Sequence, residues 1–175
     1  MNIREAQESE LQEILLFYSK MCEELGKKEF LPGGNKGGFP PQEMVITAIK
    51  KHQLYIGEED DIIMAAYIMN NEADPVYDAV NWHTDASKGE VSVLHALRVH
   101  PLYNGKGYAS RLVEHSIEIA RKRGQKAIRL DCIEGNSIPH KIYRSHGFEY
   151  IDTVEICYED IGVPRNFLLF EKVIS

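Results

Sequence analysis

The chain is poor in the residues and patterns that would tie it to a metal, a membrane or a nucleic acid. Its three cysteines, Cys22, Cys132 and Cys157, are odd in number and widely spaced. Without a Cys-x-x-Cys pair they suggest neither a zinc site nor a disulfide framework. The longest apolar run, Ile62 to Met69, is too short to cross a bilayer. The polar opening MNIREAQESE has none of the features of a secretory leader. Basic residues are in deficit: 20 Lys and Arg against 27 Asp and Glu give a net charge of −7. Neutralising nucleic-acid phosphates needs the opposite balance. Tryptophan occurs once, at Trp82, and no repeat or low-complexity tract is visible. These absences leave a reducing, cytoplasmic setting as the expectation, with no metal, no membrane and no nucleic-acid partner. The acidic balance itself favours a cationic partner, because acidic clefts attract amines.

What is present is an ordinary globular composition, 43% apolar and 27% charged. At this length a single domain over 1–175 is expected. Leu11, Ile14, Leu15 and Tyr18 recur at helical spacing, with Ser9 and Gln12 in capping-box positions before them and Gly26 as the stop. Phe30 to Pro41 is rich in glycine and proline and reads as a loop or lid. Helical spacing returns through Met44, Val45, Ala48 and Ile49. Leu54 to Glu58 and Ile62 to Met69 read as a hairpin with an acidic tip. Asn70 to Gly89 is long for a link, and Tyr77, Val80 and Trp82 argue against simple disorder there. Glu90 to Val99 is apolar on both faces, hence a central strand. A helix then runs from Gly107 to Gly124, and Ala127 to Cys132 is the next strand. A short helix opened by Pro139 is stopped by Gly147, and two long strands close the chain. The predicted order is β-α-α-β-β-β-α-β-α-β-β, an α/β mixed sheet with helices on both faces.

The most informative stretch is His95 to Phe148. A strand runs into Asn104-Gly105-Lys106-Gly107-Tyr108-Ala109, and this turn opens a helix. The glycines remove side chains where backbone must approach a ligand. The first-turn N–H groups point outward, with the positive end of the helix dipole behind them. Such a site suits a phosphate or pyrophosphate.

The glycine turn follows Val99-His100-Pro101, and Asn136, Tyr143 and Gly147-Phe148 come downstream. In this order and spacing the chain resembles the GNAT superfamily of acyl-CoA-dependent N-acetyltransferases. The close resemblance covers roughly His95 to Phe148. It implies a single-domain, mostly antiparallel sheet in which the central strand and the next splay apart. Acetyl-CoA is the co-substrate so implied. The backbone of Leu97 and Val99 would pair with its pantetheine arm, and the N–H groups of Asn104, Gly105, Lys106, Gly107, Tyr108 and Ala109 would hold its pyrophosphate. Asn104 departs from the family's usual Arg or Gln. Since the site is mainly backbone, weakened rather than abolished affinity is expected, and Lys106 is a candidate to compensate.

The implied reaction is attack of an amine on a thioester, which needs a base for the ammonium and an acid for the leaving thiolate. Tyr143 matches the family position of the acid, and a phenol is protonated at neutral pH. Asn136 would contact the cofactor arm or cap the helix that follows it. Glu90 and His95 are the leading candidates for the base, with His83 and Asp131 behind them. Tyr77 and Trp82 would wall an acceptor pocket and hold a cation over a ring, or else anchor the long loop to the core. The expected activity is acetyl transfer to the primary amine of a small molecule in a ternary complex. A protein or peptide N-acetyltransferase and a non-catalytic acyl-CoA-binding module are the alternatives. The resemblance also allows a homodimer paired through the edge of the C-terminal strands.

Overall fold

A computed structural model describes residues 1–30 and 38–175. Among them the order is β1 (Asn2–Glu5), α1 (Leu11–Leu25), α2 (Gln42–Lys50), β2 (Leu54–Glu59), β3 (Ile62–Asn70), β4 (Val91–Val99), α3 (Tyr108–Lys122), β5 (Ala127–Ile133), α4 (Ser137–Ser145), β6 (Glu149–Ile156) and β7 (Arg165–Val173). This is the predicted order. The strands form one sheet, β1-β2-β3-β4-β5-β7-β6. Every pairing is antiparallel except β4 with β5.

The sheet is apolar on both sides, as the near-continuous burial of β3 requires. On one face Tyr67, Met69, Leu94, Ile128 and Phe170 pack beneath α3 and α4, which contribute Leu112, Val113, Ala120 and Tyr143. The opposite face is divided. Ile56, Ala66 and Ile68 meet Ile14, Tyr18, Val45 and Ile49 of α1 and α2. Further along, Val93 and Leu169 are covered by Tyr77, Val80 and Trp82 of the 71–90 segment. That segment is ordered by these contacts, although only a short helical turn at Pro75–Ala79 gives it regular structure until Lys88–Glu90.

Two departures from the expected pattern bear on function. The capping box does not sit on Ser9: Glu10 accepts from the Gln7 N–H at 2.9 Å, so a 3-10 turn over Glu8–Glu10 precedes α1. The second departure lies in β4. Ala66 faces Arg98, yet Ile68 faces His95, so β4 carries one residue more than β3 across this stretch. The surplus is a β-bulge at Ala96, whose φ is +51°. Simple alternation would put Val93, His95 and Leu97 on one side. Instead Val93 belongs to the cluster under the 71–90 segment, whereas Leu97 packs with the α3 and α4 side. The carbonyl of Ala96 accepts from the buried Tyr18 hydroxyl at 3.1 Å, which pins the bulge to α1.

Candidate active site

β4 and β5 pair only at Val91–Val93 against Ala127–Arg129. Beyond this the strands part. β4 stays on β3 as far as Val99 and β5 stays on β7 as far as Ile133, so a wedge opens within the sheet. A cavity of about 580 Å³ fills it. Its walls include Leu94 to Val99 on β4 and Asp131 to Ile133 on β5. Asn104, Ala109 and Val113 reach it from the start of α3, and Asn136, Ile142 and Tyr143 from α4. From the other face of the sheet come Phe39, Glu72, Asp74, Tyr158 and Asp160. The cavity therefore joins the two sides of the sheet through the gap.

At one end stands the glycine turn. Gly105 and Gly107 have φ of +77° and +76°, and a Cβ at either would meet nothing within 4 Å. The left-handed backbone explains the glycines, and the open space above them leaves room for a ligand. The first α3 bond in this turn is Arg111 N–H to Gly107 O at 3.2 Å, leaving the preceding N–H groups of the first turn for a ligand. The Tyr108 hydroxyl donates to Glu59 at 2.9 Å, which draws that side chain toward the β2–β3 hairpin. The Lys106 ammonium sits 5.2 Å from the centre of the Tyr103 ring. The backbone edge of β4 beyond Val93 has no strand partner on the β5 side. The Leu97 carbonyl already accepts from the Arg98 guanidinium at 3.0 Å. These features fit a phosphate-bearing ligand with an extended polar arm.

Tyr143 is buried against Phe148 and Phe170 and lines the cavity. Burial pushes its phenol above the ordinary range, so the group stays protonated at any working pH. Asn136 occupies the N-cap position of α4 but makes no side-chain cap, which leaves its amide to the cavity. His95 also lines the cavity. Its Nε2 lies 2.8 Å from Asn70 Oδ1 and 2.9 Å from the Glu72 carbonyl. A carbonyl can only accept, so Nε2 carries the hydrogen and the lone pair is on Nδ1. Burial lowers its pKa to about 4, giving a neutral, weakly basic ring.

Two base candidates, Glu90 and His83, lie away from the cavity, and of the two readings of Tyr77 and Trp82 the contacts favour the anchor. Glu90 does not face the cavity: its carboxylate pairs with Lys126 at 2.8 Å and accepts from Ser87 N–H at 2.8 Å, at the far end of β4 from the glycine turn. Lys126 and Ser87 hold its pKa down to about 2, too low for a useful base. Trp82 is an anchor rather than a wall of this cavity. It donates to the Tyr77 carbonyl at 2.9 Å and stacks on the Arg129 guanidinium, 4.4 Å from its ring centre. Tyr77 is buried beside it, and only its hydroxyl reaches the cavity lining, through Asp131. His83 pairs with Glu149 at the surface. The lid expected at Pro32 to Pro41 falls mainly on residues outside those described.

Other residues in the wedge are ones the sequence reading passes over. Tyr158 and Asp160 follow β6 with no local pattern to single them out, and both line the cavity. Asp131, a lone acid inside an apolar strand and one of the lesser base candidates above, lines the cavity as well. Among the described residues no group of three or more His, Cys, Asp or Glu is arranged to hold a metal, and no helix is long and apolar enough to cross a membrane.

Residues 22–148 match the profile of the acetyltransferase (GNAT) family. An uncharacterized N-acetyltransferase of Methanocaldococcus jannaschii is 32% identical over 75 residues, 43% of this chain and 33% of that protein; the match thus spans about a third of the relative's length. The uncharacterized N-acetyltransferase YesJ of Bacillus subtilis is 26% identical over 131 residues, covering 75% of this chain and 67% of that one. The solved structure of yncA from Salmonella typhimurium with its cofactor acetyl-CoA shares the fold, with a TM-score of 0.74 at 14% identity over 100% of this chain and 94% of that one.

Proposed function

The chain belongs to the acetyltransferase (GNAT) family, and we propose that it transfers the acetyl group of acetyl-CoA to the primary amine of a small molecule, by direct attack in a ternary complex. The observation that carries this reading is the wedge between β4 and β5, with a glycine turn at one end and Tyr143 in its wall. When bound, acetyl-CoA would supply an acyl group already activated as a thioester.

The chain's own residues account for the rest. The N–H groups from Gly105 to Ala109 and the α3 dipole bind the phosphates, whereas that of Asn104, expected among them, donates to the Pro101 carbonyl at 3.2 Å and is already satisfied. The unpaired edge of β4 near Leu97 and Val99 orients the arm, and Asn136 adds a side-chain amide. Tyr143 Oη holds the proton that the departing sulfur needs, and burial keeps that proton in place. Direct transfer is favoured over a covalent enzyme intermediate because Cys132, the cysteine in the β5 wall, is a poor nucleophile. Burial and the charge of Asp131 push its thiol well above the ordinary value. A small acceptor is favoured because the 71–90 segment packs over the sheet beside the cavity, covering Val93 and Leu169 where a long substrate chain would need to lie.

Free-thiol release from acetyl-CoA across amines, amino acids, polyamines, aminoglycosides and short peptides tests the reading. Turnover is expected with a small amine. Preferential turnover of peptides would replace it with protein acetylation. Tight acetyl-CoA binding with no thiol release would replace it with a non-catalytic role.

A further inference from the structure

Resting on the acetyl-transfer reading above, we infer that Asp131 receives the acceptor: its carboxylate binds the ammonium group of a primary alkylamine and takes the first proton from it, with Tyr77 and Tyr158 as positioning residues. Asp131 lies two residues beyond the last β4–β5 pair, where the wedge has opened. Both tyrosine hydroxyls donate to the same oxygen, Oδ2, each at 2.7 Å. One comes from the 71–90 segment and the other from the turn after β6, so the carboxylate is clamped from two directions. Among the described residues nothing donates to Oδ1, while the side chain lines the cavity.

The clamp provides hydrogen bonds but no positive charge. No salt bridge among the described residues includes Asp131. Arg98 is a cavity-lining cation, but its guanidinium donates to the carbonyls of Leu97 and Phe39. A carboxylate removed from water needs a counter-charge, and the open oxygen is placed for one that arrives with the ligand. Glu72, Asp74 and Asp160 line the same cavity and deepen the field that draws a cation in.

The protons balance. The ammonium passes one proton to Asp131 and becomes a nucleophile. As the C–N bond forms and the C–S bond breaks, nitrogen loses a second proton and sulfur gains one from Tyr143, whose phenolate is restored by that second proton. Asp131 then releases its proton to solvent. The groups acting on the carboxylate are Tyr77 and Asp74 from the 71–90 segment, Tyr158 after β6, Tyr143 on α4 and the adjacent Cys132, and Asp160 and Arg98 share the cavity lining with it. Burial raises the carboxyl pKa above its ordinary value, and the two phenols offset part of that rise.

The test uses thiol release from acetyl-CoA with two nucleophiles near neutral pH: n-butylamine, which is an ammonium ion there, and hydroxylamine, which is largely uncharged. Asp131→Asn should lower kcat/KM for n-butylamine by roughly 100-fold or more but that for hydroxylamine by less than about tenfold. Equal losses, or none, would overturn the assignment. Tyr158→Phe removes one donor, so the acid limb of the wild-type n-butylamine profile should move to higher pH; an unmoved limb would also overturn it. Should the wild type release thiol with neither amine, acetyl transfer to such amines fails as a reading. Calorimetric titration with n-butylammonium then decides Asp131 on its own: binding lost in Asp131→Asn supports the site, and equal or absent binding in both proteins rejects it.

Discussion

Replacing Gly107 by alanine separates the anion site from ordinary backbone strain, because α3 carries a matched control at its other end. Gly107 precedes the helix at φ +76° and Gly124 follows it at φ +65°, and a Cβ added at either would meet nothing within 4 Å. Both substitutions force a side chain into the left-handed region, at a cost of about 1 kcal/mol each. In a chain of this size that lowers Tm by about 2–4 °C. The ends differ only in what faces them. The turn at Gly107 stands beside the wedge, which its neighbours Asn104 and Ala109 line, whereas Gly124 lies about 25 Å away along the helix. A Cβ at 107 would displace a phosphate from at least one charge-assisted hydrogen bond, worth about 1.5–3 kcal/mol. Affinity for acetyl-CoA should then fall roughly 10- to 100-fold in Gly107→Ala and stay unchanged in Gly124→Ala. Thermal melts establish the shared strain and calorimetric titration with acetyl-CoA reads the difference. Equal affinities in the two variants would remove the glycine turn from the cofactor site.

Three further outcomes follow from the same geometry. Tyr143→Phe should reduce kcat by roughly 100-fold or more while leaving acetyl-CoA affinity within error, and unchanged turnover would take the phenol out of the acid role. Glu90→Gln should leave kcat and its pH profile unaltered, since the carboxylate is held by Lys126 and Ser87 outside the cavity; a lost limb in the profile would contradict that placement. His95 makes stability depend on pH: its folded pKa of about 4 lies below the ordinary value of 6.5, so the unfolded chain binds more protons between these values. Stability should fall by up to about 3 kcal/mol as pH drops through that window, and urea midpoints should show this slope missing in His95→Gln.

Legibility was greatest where a local rule determines the outcome. Gly105 and Gly107 are needed by left-handed backbone, and Arg121 and Lys122 suit the last turn of α3. The apolar runs of β3 and β4 announce strands covered on both faces. The active-site wall was legible only where it followed such rules. Alternation misplaced Leu97 because one surplus residue at Ala96 reverses the side-chain order, and nothing in V-S-V-L-H-A-L-R-V marks the bulge. Glu90 was read as a base from its place at the head of a central strand, although that end of the strand lies away from the opening and next to Lys126. Trp82 and Tyr77 do share a loop, but their partners, Arg129 and Asp131, lie 47 and 54 residues downstream. Tyr158 joins them by a contact across 27 residues of chain. Contacts of this range are products of the fold, and no window of sequence contains them.

The wedge itself has an energetic meaning. β3 holds β4 through Val99 and β7 holds β5 through Ile133, yet the two strands release each other after Val93 and Arg129. Each strand thereby keeps one ladder and gives up the other. Unpaired backbone groups facing an apolar gap are costly, about 1–3 kcal/mol for each one that water cannot reach. A sheet that merely needed stability would close the gap by continuing the parallel pairing. Two features accompany the opening: the bulge at Ala96, tied to α1 by Tyr18, and Tyr143 and Ile142 of α4, which line the cavity. The freed edge of β4 is then a row of donors and acceptors at strand spacing, which an amide-bearing arm satisfies as another strand would. On that argument the same unpaired backbone that weakens the empty sheet orients the cofactor, and its binding should raise Tm by more than the phosphate contacts alone would supply.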